Sequence, residues 1–405
     1  MVDCKSLGLE SGLESGLESG LESGLESVLE SGLESELSEI KKILPSSIYH
    51  NLTNEEPPSP VCDNEEPPSP VCDNEEPPSP VCDNEEPPSP VCDILITGGC
   101  GFIGSHFINY IYHKYDKIKI INIDAMYYCA SESNIDLEIR QSDRYKLIKG
   151  NICSIDLIDH ILDIYKIKYV VHFAAQSHVQ NSFEDSLQYT RDNILGTHTL
   201  LESCRKYGLI KKFIHVSTDE VYGESMLDEM QKTEYSTLYP TNPYAGTKAG
   251  AELIAQTYLH SFKMPIIITR GNNVYGPNQY PEKLIPKFIK LLNENKKVTI
   301  QGNGSTLRAF MYVSDTVKAF DIILNKGKIG EIYNIGCDEG MEYSVKDIAQ
   351  ILIKIIKNTE QYDDWIEYIK DRPFNDARYY ISNEKIKKFG WEISVNLTDG
   401  LNKLF

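Results

Sequence analysis

ILITGGCGFIG, at residues 94–104, joins a short apolar run to a glycine-rich turn and a second apolar segment. This order predicts a strand, a tight turn and a helix. Gly98, Gly101 and Gly104 follow the spacing G-x-x-G-x-x-G, which lets the backbone approach a pyrophosphate at the helix N-terminus. The stretch therefore predicts the first strand-turn-helix unit of a dinucleotide-binding fold.

An acidic residue at the end of the next strand indicates which dinucleotide is bound. Asp124 lies twenty residues beyond Gly104 and ends the strand predicted over 119–124. A carboxylate there can accept hydrogen bonds from both ribose hydroxyls, and it would repel a 2′-phosphate. We therefore expect NAD rather than NADP. The alternative is that Asp124 only caps its loop.

The remainder of residues 94–275 alternates between apolar strands and helices. Further strands are predicted at 169–173, 213–217 and 265–269, and helices at 102–112, 157–165, 192–207 and 244–262. Such alternation predicts parallel βαβ units, and hence an α/β fold with a doubly wound, Rossmann-like sheet. From about residue 276 the pattern is irregular, so residues 276–405 are expected to form mainly a smaller substrate-binding lobe.

The first 93 residues consist largely of two short repeats. A Gly-Leu-Glu-Ser unit recurs from Gly8 to about Ser35, and the decamer Asn-Glu-Glu-Pro-Pro-Ser-Pro-Val-Cys-Asp occurs four times from Asn54 to Asp93. These units are far shorter than the ~20–50 residues of a solenoid repeat. We expect residues 1–93 to be a disordered, low-complexity tail, with a tether or partner-binding role as the alternative.

The net charge of −20 belongs almost wholly to this tail. Residues 1–93 hold 22 of the 60 acidic residues and three of the 40 basic ones, which leaves a net charge of −1 for residues 94–405. The chain therefore offers no basic footprint for nucleic acid. Its cysteines lack metal-ligand spacing, and neither a signal-peptide pattern nor a long apolar stretch is present. These features predict a cytoplasmic protein with no metal and no membrane segment.

A Tyr-x-x-x-Lys pair marks the start of the helix predicted over 244–262. Tyr244 and Lys248 are one turn apart and share a helix face. An ammonium beside a phenol lowers the phenol pKa, so the pair predicts a base that works near neutral pH. The spacing alone also fits an ordinary surface pair. The nucleotide-binding unit and Ser217-Thr218, which precede it, favour the catalytic interpretation.

Five segments carry a family resemblance: Thr97–Gly104, Ala174–Val179, Ser217–Gly223, Tyr244 with Lys248, and Tyr275–Pro277. Together they resemble the extended short-chain dehydrogenases, and among these the dTDP-glucose 4,6-dehydratases and the UDP-glucose 4,6-dehydratases of rhamnose synthesis. The resemblance covers residues 94–405 and none of 1–93. Sugar-nucleotide epimerases and decarboxylases of the same fold lack the adjacent pair Asp219-Glu220, so this pair favours dehydration.

The resemblance implies a reaction and its catalytic residues. Tyr244, assisted by Thr218 and Lys248, takes the C4 hydroxyl proton of a nucleoside-diphosphate glucose while NAD takes the C4 hydride. Glu220 then removes the C5 proton as Asp219 protonates the departing C6 hydroxyl. Hydride returns to C6, and the product is a 4-keto-6-deoxy sugar. One carboxyl must be ionised while the other is protonated, and adjacent carboxyls in a closed site can differ in pKa in this way.

The same resemblance implies a cofactor site and a substrate site. The expected cofactor-binding residues are Gly98, Gly101, Phe102, Ile103, Gly104, Asp124, Asn151, Ile152, Ala174, Tyr244 and Lys248. The expected substrate-binding residues are Ser177, Thr218, Asn273, Glu282, Lys283, Arg308, Asn334, Arg372 and Tyr379. Arginine suits a diphosphate because its planar guanidinium donates two hydrogen bonds at once.

Several positions depart from the bacterial dTDP pattern, among them Gln180-Asn181, Ala309-Phe310 and Asn375. The choice between thymidine and uridine nucleotides stays open, since one methyl group is worth only ~1–3 kcal/mol of discrimination. The family also implies a homodimer through the helices at 192–207 and 244–262. Two other functions stay open at this stage: a same-fold epimerase or decarboxylase, and a binding protein that acts through its repeat tail.

Overall fold

The computed structural model describes residues 94–371 and 375–405. The predictions for residues 1–93, and for Arg372 as a substrate-binding residue, lie outside the described residues. In the part of the chain that is described, no helix is both long and apolar enough to cross a bilayer.

The strands are β1 Ile94–Thr97, β2 Ile120–Asp124, β3 Tyr145–Lys149, β4 Tyr169–His172, β5 Lys212–Thr218, β6 Ile266–Gly271, β7 Asn273–Tyr275, β8 Val298–Gln301, β9 Leu307–Tyr312, β10 Ile332–Ile335, β11 Glu342–Ser344 and β12 Ile366–Ile369. The α-helices are α1 Phe102–Lys114, α2 Leu137–Arg140, α3 Ile155–Tyr165, α4 Val179–Glu184, α5 Ser186–Tyr189, α6 Gly196–Tyr207, α7 Pro243–Phe262, α8 Leu284–Asn293, α9 Val313–Lys326, α10 Val345–Lys357, α11 Glu384–Lys387 and α12 Leu397–Asn402. Short 3-10 turns lie at Glu132–Asn134, Asp219–Tyr222 and Tyr362–Trp365.

Seven strands form one parallel sheet in the order β10-β6-β5-β4-β1-β2-β3. The chain moves outward from β1 to β3, returns, and then moves outward through β4, β5 and β6. This confirms the predicted doubly wound sheet. Because the strands are parallel, their carboxyl ends meet at one edge, and ligands bind in such sheets where the strand order reverses, here between β1 and β4.

Helices cover both faces of the sheet because successive side chains of a buried strand point in opposite directions. Ile96 of β1 belongs to the core under α1 and α9, together with Phe107 and Phe320. Its neighbour Leu95 belongs to the opposite core, with Leu162 of α3 and Leu200 of α6. Both cores are continuous layers of buried apolar side chains, so the edge that carries the site is held from two sides.

Two strands of the sheet were not predicted from the sequence, β3 and β10. β10 comes from the C-terminal part of the chain and pairs with β6, with Asn334 opposite Arg270. Only four residues long, β10 has no local pattern that separates it from a buried loop, so its pairing depends on contacts distant in sequence. The sheet therefore combines residues from both sides of position 276.

The helix predicted over 192–207 begins differently. A π-helical turn at Thr190–Leu195 precedes α6. Its wider winding accompanies contacts with the loop after β4: the Gln176 N–H donates to Asn193 Oδ1 at 2.8 Å, and Gln176 Nε2 donates to Asp192 Oδ2 at 2.8 Å. Such π turns occur frequently beside functional sites.

Helix α7 begins where the sequence predicts and carries the Tyr-x-x-x-Lys pair. Asn242 caps the helix, since its Oδ1 accepts from the Ala245 N–H at 2.9 Å, and Pro243 occupies the first helical position. Tyr244 and Lys248 are both buried on the face of α7 that packs against β5. The cap therefore fixes the first residue of α7, and with it the positions of Tyr244 and Lys248 on the helix.

A buried ion pair connects α7 to β6. Arg270 Nη2 lies 2.7 Å from Glu252 Oε2, and the two side chains are 2% and 0% exposed. Arg270 also donates to Tyr222 Oη at 2.8 Å, and its guanidinium stacks on the Tyr222 ring. An uncompensated charge at this depth would be strongly unfavourable, so each partner requires the other.

Replacement of Glu252 by Ala should lower the free energy of unfolding by about 3–5 kcal/mol, because it leaves the Arg270 guanidinium buried without its counter-ion. The matched control is Asp163→Ala, which removes an ion pair with Lys166 whose side chains are 75% and 65% exposed. It should cost less than about 1 kcal/mol. Urea denaturation of both variants checks this, and equal losses would contradict it.

Candidate active site

The glycine turn between β1 and α1 forms one wall of a cavity at the carboxyl edge of the sheet. Gly98 has a φ of 72°, and a Cβ there would lie 2.7 Å from the Ala174 backbone. A Cβ on Gly104 would lie 2.4 Å from the Gly98 carbonyl oxygen. Only glycine permits this close packing, so the N-terminus of α1 faces the cavity.

Asp124 ends β2 beside this turn, and its carboxylate holds two loops. Oδ2 accepts from the Cys100 N–H at 2.9 Å, and Oδ1 accepts from the Met126 N–H at 2.8 Å. Burial raises the pKa of Asp124, whereas these two hydrogen bonds lower it. Asp124 therefore caps its loop, as the alternative interpretation predicts. Each carboxylate oxygen still keeps a lone pair for a ligand hydroxyl.

The Tyr-x-x-x-Lys pair lines the same cavity. Lys248 Nζ donates to the Val216 carbonyl oxygen at 2.6 Å, and burial lowers the pKa of Lys248 to about 8. Burial raises the pKa of Tyr244, the Glu220 carboxylate raises it further, and a contact with Thr218 lowers it. The expected lowering of the Tyr244 pKa is therefore wrong for the described chain, because removal of the phenol from water and the nearby Glu220 carboxylate outweigh the contact with Thr218.

The two adjacent carboxyls follow β5 and have different surroundings. Burial, and then the neighbouring Glu220, raise the pKa of Asp219 to about 7. Burial also raises the pKa of Glu220, while a hydrogen bond from Asn242 Nδ2 at 3.0 Å lowers it. Two like charges this close are unfavourable together. The arrangement therefore favours one shared proton, held on Asp219 near neutral pH.

A further group of lining residues comes from the loop after β4 and from β7 and the segment that follows it. Ser177, Asn273, Glu282 and Lys283 all line the cavity. Lys283 Nζ donates to the Ser177 carbonyl oxygen at 2.6 Å, and Tyr128 Oη donates to Glu282 at 2.8 Å. The consecutive residues Glu282 and Lys283 thus bring a carboxylate and an ammonium to the cavity lining.

Most of the predicted site residues meet in this single cavity. Those that line it are Gly98, Gly101, Phe102, Ile103, Gly104, Asp124, Asn151, Ile152, Ala174, Ser177, Thr218, Asp219, Glu220, Tyr244, Lys248, Asn273, Glu282 and Lys283. The cavity thus joins the strand ends of β1, β2, β4, β5 and β6 to the segment that follows β7.

Three predicted substrate-binding residues lie outside that lining. Tyr379 is next to it, because its hydroxyl lies 3.3 Å from Glu220 Oε2, and the Arg308 guanidinium stacks on the Tyr379 ring. Asn334 is different. It is fully buried in β10, its Oδ1 accepts from Tyr222 Oη at 2.8 Å and its Nδ2 donates to the Lys232 carbonyl oxygen. Protein partners therefore use both ends of the Asn334 amide, and it is not available to a ligand.

Sequence reasoning missed three polar residues that contact the carboxyls or their partners. Asn272 Nδ2 donates to Asp219 Oδ2 at 2.6 Å, and Asn242 donates to Glu220. Asp376 accepts from the Tyr379 hydroxyl and, at 2.7 Å, from Thr241. A signal existed for two of them, since Asn272 precedes the predicted Asn273 and Asn242 stands at a helix-cap position.

Comparison with known proteins gives consistent matches. The family model described as GDP-mannose 4,6 dehydratase matches residues 95–404. A dTDP-D-glucose 4,6-dehydratase of Dictyostelium discoideum is 45% identical over 352 residues, which cover 77% of this chain and 80% of the relative. The crystal structure of a dTDP-glucose 4,6-dehydratase from Bacillus anthracis in complex with NAD is similar with a TM-score of 0.70 and 38% identity, over 77% of this chain and 95% of that one.

A plant relative is longer than this chain. The trifunctional UDP-glucose 4,6-dehydratase/UDP-4-keto-6-deoxy-D-glucose 3,5-epimerase/UDP-4-keto-L-rhamnose-reductase of Arabidopsis thaliana is 46% identical over 311 residues. The alignment covers 76% of this chain and 46% of the relative, so the chain spans about half the length of that protein. Both nucleobase types therefore occur among relatives of equal similarity.

The raised pKa of Asp219 predicts a stabilising substitution. Its ordinary value of 3.8 applies to the unfolded chain, and the value of about 7 applies to the folded one. The folded state therefore loses stability as pH rises from about 4 to about 7, by at most roughly 4 kcal/mol. Asp219→Asn removes this loss, so its melting temperature should exceed that of the unaltered chain by roughly 5 °C at pH 8.

The matched control is Asp321→Asn, which removes another buried carboxylate. Asp321 Oδ2 lies 2.5 Å from Lys114 Nζ, so the control loses a partner and should melt at a lower temperature. Thermal melting followed between pH 4 and pH 8 checks both variants. A pH-independent difference between Asp219→Asn and the unaltered chain would contradict the raised pKa.

Proposed function

The chain belongs to the GDP-mannose 4,6 dehydratase family, and on that premise we propose that it dehydrates a nucleoside-diphosphate glucose, dTDP-glucose or UDP-glucose, to the 4-keto-6-deoxyglucose nucleotide. The observation that carries the proposal is the pair Asp219-Glu220. These carboxyls are adjacent, differ in their surroundings and lie beside Tyr244 at the carboxyl end of β5. Water loss from a sugar requires both an acid and a base within reach of neighbouring carbons.

The residues around the glycine turn fit NAD as the cofactor. A Cβ on Gly98 or Gly104 would overlap the protein backbone, so only glycine allows this tight turn. The turn places the α1 N-terminus at the cavity, as a pyrophosphate requires. Asp124 offers carboxylate lone pairs for ribose hydroxyls, and its charge disfavours a 2′-phosphate. The relative crystallised with NAD supports the same choice. NAD, when bound, supplies the reversible oxidation that makes the C5 proton of the sugar acidic.

The side chains of the site divide the proton transfers among them. Tyr244, next to Thr218, accepts the C4 hydroxyl proton as a phenolate, so it must first lose the proton that burial favours, and Lys248 lies one turn further along α7 on the same face. Glu220 accepts the C5 proton. Asp219, which holds its proton up to a pH of about 7, donates to the C6 oxygen. The C5–H and C6–O bonds break, a C5=C6 double bond forms, and the hydroxyl leaves as water. When the hydride taken from C4 is returned to C6, Glu220 gives its proton back to C5, which yields the 4-keto-6-deoxy sugar.

Further residues that line or border the cavity are proposed to hold the sugar and the diphosphate. Asn273, Glu282 and Lys283 line the cavity close to the carboxyl pair, and Arg308 and Tyr379 border Glu220. A guanidinium and an ammonium on this side suit the two phosphates. We assign no such role to Asn334, since its amide is already paired within the protein.

A same-fold epimerase or decarboxylase is the first alternative. An epimerase needs C4 oxidation and reduction only, so it has no use for a buried acid beside a buried base. Asp219 and Glu220 occupy the cavity at a cost in stability, because burial raises the pKa of both. Polar groups kept at such a cost are typical of functional sites. The site therefore favours dehydration over this alternative, and over a chain that only binds partners.

A homodimer through α6 and α7 is part of this proposal. The two helices pack against each other, and apolar side chains on and next to them are exposed, namely Leu195, Leu253 and Phe262. A second copy that covers these side chains would remove their apolar surface from water. Sedimentation of the full chain should give a dimer that Leu253→Arg dissociates.

A cytoplasmic location, which the unpaired thiols of the described cysteines favour, is proposed as well.

Incubation of the purified chain with dTDP-glucose and with UDP-glucose should convert at least one of them to a product lighter by one water, with no net reduction of added NAD. Glu220→Gln should lower kcat about 100- to 10,000-fold, because the C5 base is lost. Mass spectrometry and absorbance of the reduced cofactor measure both effects. Steady accumulation of reduced cofactor, or a galactose nucleotide of unchanged mass, would contradict the proposal.

A further inference from the structure

The side-chain amide of Asn272 has its orientation fixed by the protein. Asn272 follows β6 and is buried. Its Oδ1 accepts from the Cys337 N–H at 2.8 Å, and a main-chain N–H can only donate. The amide oxygen must therefore face Cys337, so the NH₂ group faces Asp219, with Nδ2 2.6 Å from Oδ2.

This contact distinguishes the two oxygens of Asp219. Nδ2 of Asn272 is only a donor, so it can donate to Oδ2 but cannot accept a proton from it. Oδ1 accepts from Thr218 Oγ1 at 3.1 Å, and a hydroxyl, unlike an amide NH₂, can turn to accept. The contacts therefore favour Oδ1, which faces a residue of the cavity lining, as the oxygen that carries the proton of Asp219.

We propose that Asn272 is a positioning residue for the acid Asp219. It restricts the transferable proton to Oδ1 and stabilises the carboxylate that remains after that proton has moved to the C6 oxygen. This inference rests on the proposed function, in which Asp219 protonates the departing hydroxyl. A hydrogen bond to an anion is stronger than one to a neutral group, so the contact strengthens as the proton leaves.

The same residue connects the acid to the C-terminal part of the chain. The Asn272 N–H donates to the Ile335 carbonyl oxygen at 3.1 Å, and Cys337 follows β10 by two residues. The pairing of β10 with β6 thus places the donor that orients the amide. The orientation of the acid therefore depends on a strand from the C-terminal part of the chain.

Glu220 has a corresponding asparagine, which supplies a matched control. Asn242 Oδ1 accepts from the Ala245 N–H, and its Nδ2 donates to Glu220 Oε2 at 3.0 Å. Asn242 thus contacts the base, whereas Asn272 contacts the acid. A second control, Asn325→Ala, removes an asparagine whose Nδ2 donates to Tyr115 Oη at 2.9 Å and that has no hydrogen bond to either carboxyl of the pair.

The experiment compares two leaving groups at C6 on the full chain with its cofactor bound. One substrate is the glucose nucleotide that the unaltered chain turns over faster, and the other is its 6-deoxy-6-fluoro analogue. Fluoride leaves without a proton from an acid, but the C5 proton must still be removed. Asn272→Ala should lower kcat about ten- to hundred-fold on the hydroxyl substrate and less than about threefold on the fluoro analogue. KM for both should change little.

The other variants set the limits of the test. Asn272→Leu keeps the size of the side chain and adds no charge beside Asp219, so it should fold and give the same selective loss. Asn242→Ala should slow both substrates, and Asn325→Ala neither. Equal losses on both substrates for the two Asn272 variants, or no loss, would overturn the inference while leaving the proposed function intact. Failure of the unaltered chain to release water from the hydroxyl substrate would overturn both.

Discussion

The buried ion pair between Arg270 and Glu252 holds together the elements that carry the site. Arg270 belongs to β6 and Glu252 to α7, and Arg270 also donates to Tyr222, whose hydroxyl donates to Asn334 of β10. One network thus joins the middle of α7, the turn after β5 and strand β10. Because neither charge can be left alone at this depth, these elements keep a single relative position. Asp219 and Glu220 sit on the turn that ends at Tyr222, so their placement follows from the same contacts.

Burial gives the two carboxyls their different roles. In water an aspartate and a glutamate would both be ionised at neutral pH. In the cavity, removal from water raises the pKa of both, and their mutual repulsion adds to the pKa of Asp219. Asn242 and the nearby cations Arg308 and Lys283 oppose this for Glu220. One proton therefore resides on the more deeply buried Asp219, whereas these three groups favour the ionised form of Glu220, which a base requires. The chemistry follows from position, since the residue types alone are ordinary.

Local patterns in the sequence predicted what depends on neighbouring residues. The turn from Gly98 to Gly104 and the pair Tyr244 and Lys248 lie where their spacing places them, since a strand-turn-helix unit and one helical turn are short-range structures. Features that depend on distant contacts were not predictable. Strand β10 pairs with β6 across some sixty intervening residues. Asn334, which was predicted to bind substrate, instead accepts a hydrogen bond from Tyr222. The pKa of Tyr244 was predicted in the wrong direction, because spacing reveals the neighbouring ammonium but not the loss of water around the phenol.

The central claim is that one hydrogen moves within the sugar while water leaves. A glucose nucleotide that carries deuterium at C4 tests it most directly, with NMR and mass spectrometry of the product. The account predicts a product lighter by one water whose deuterium is retained, in the C6 methyl group. Return of deuterium to C4 in a sugar of unchanged mass, or its loss to the solvent, would contradict the account.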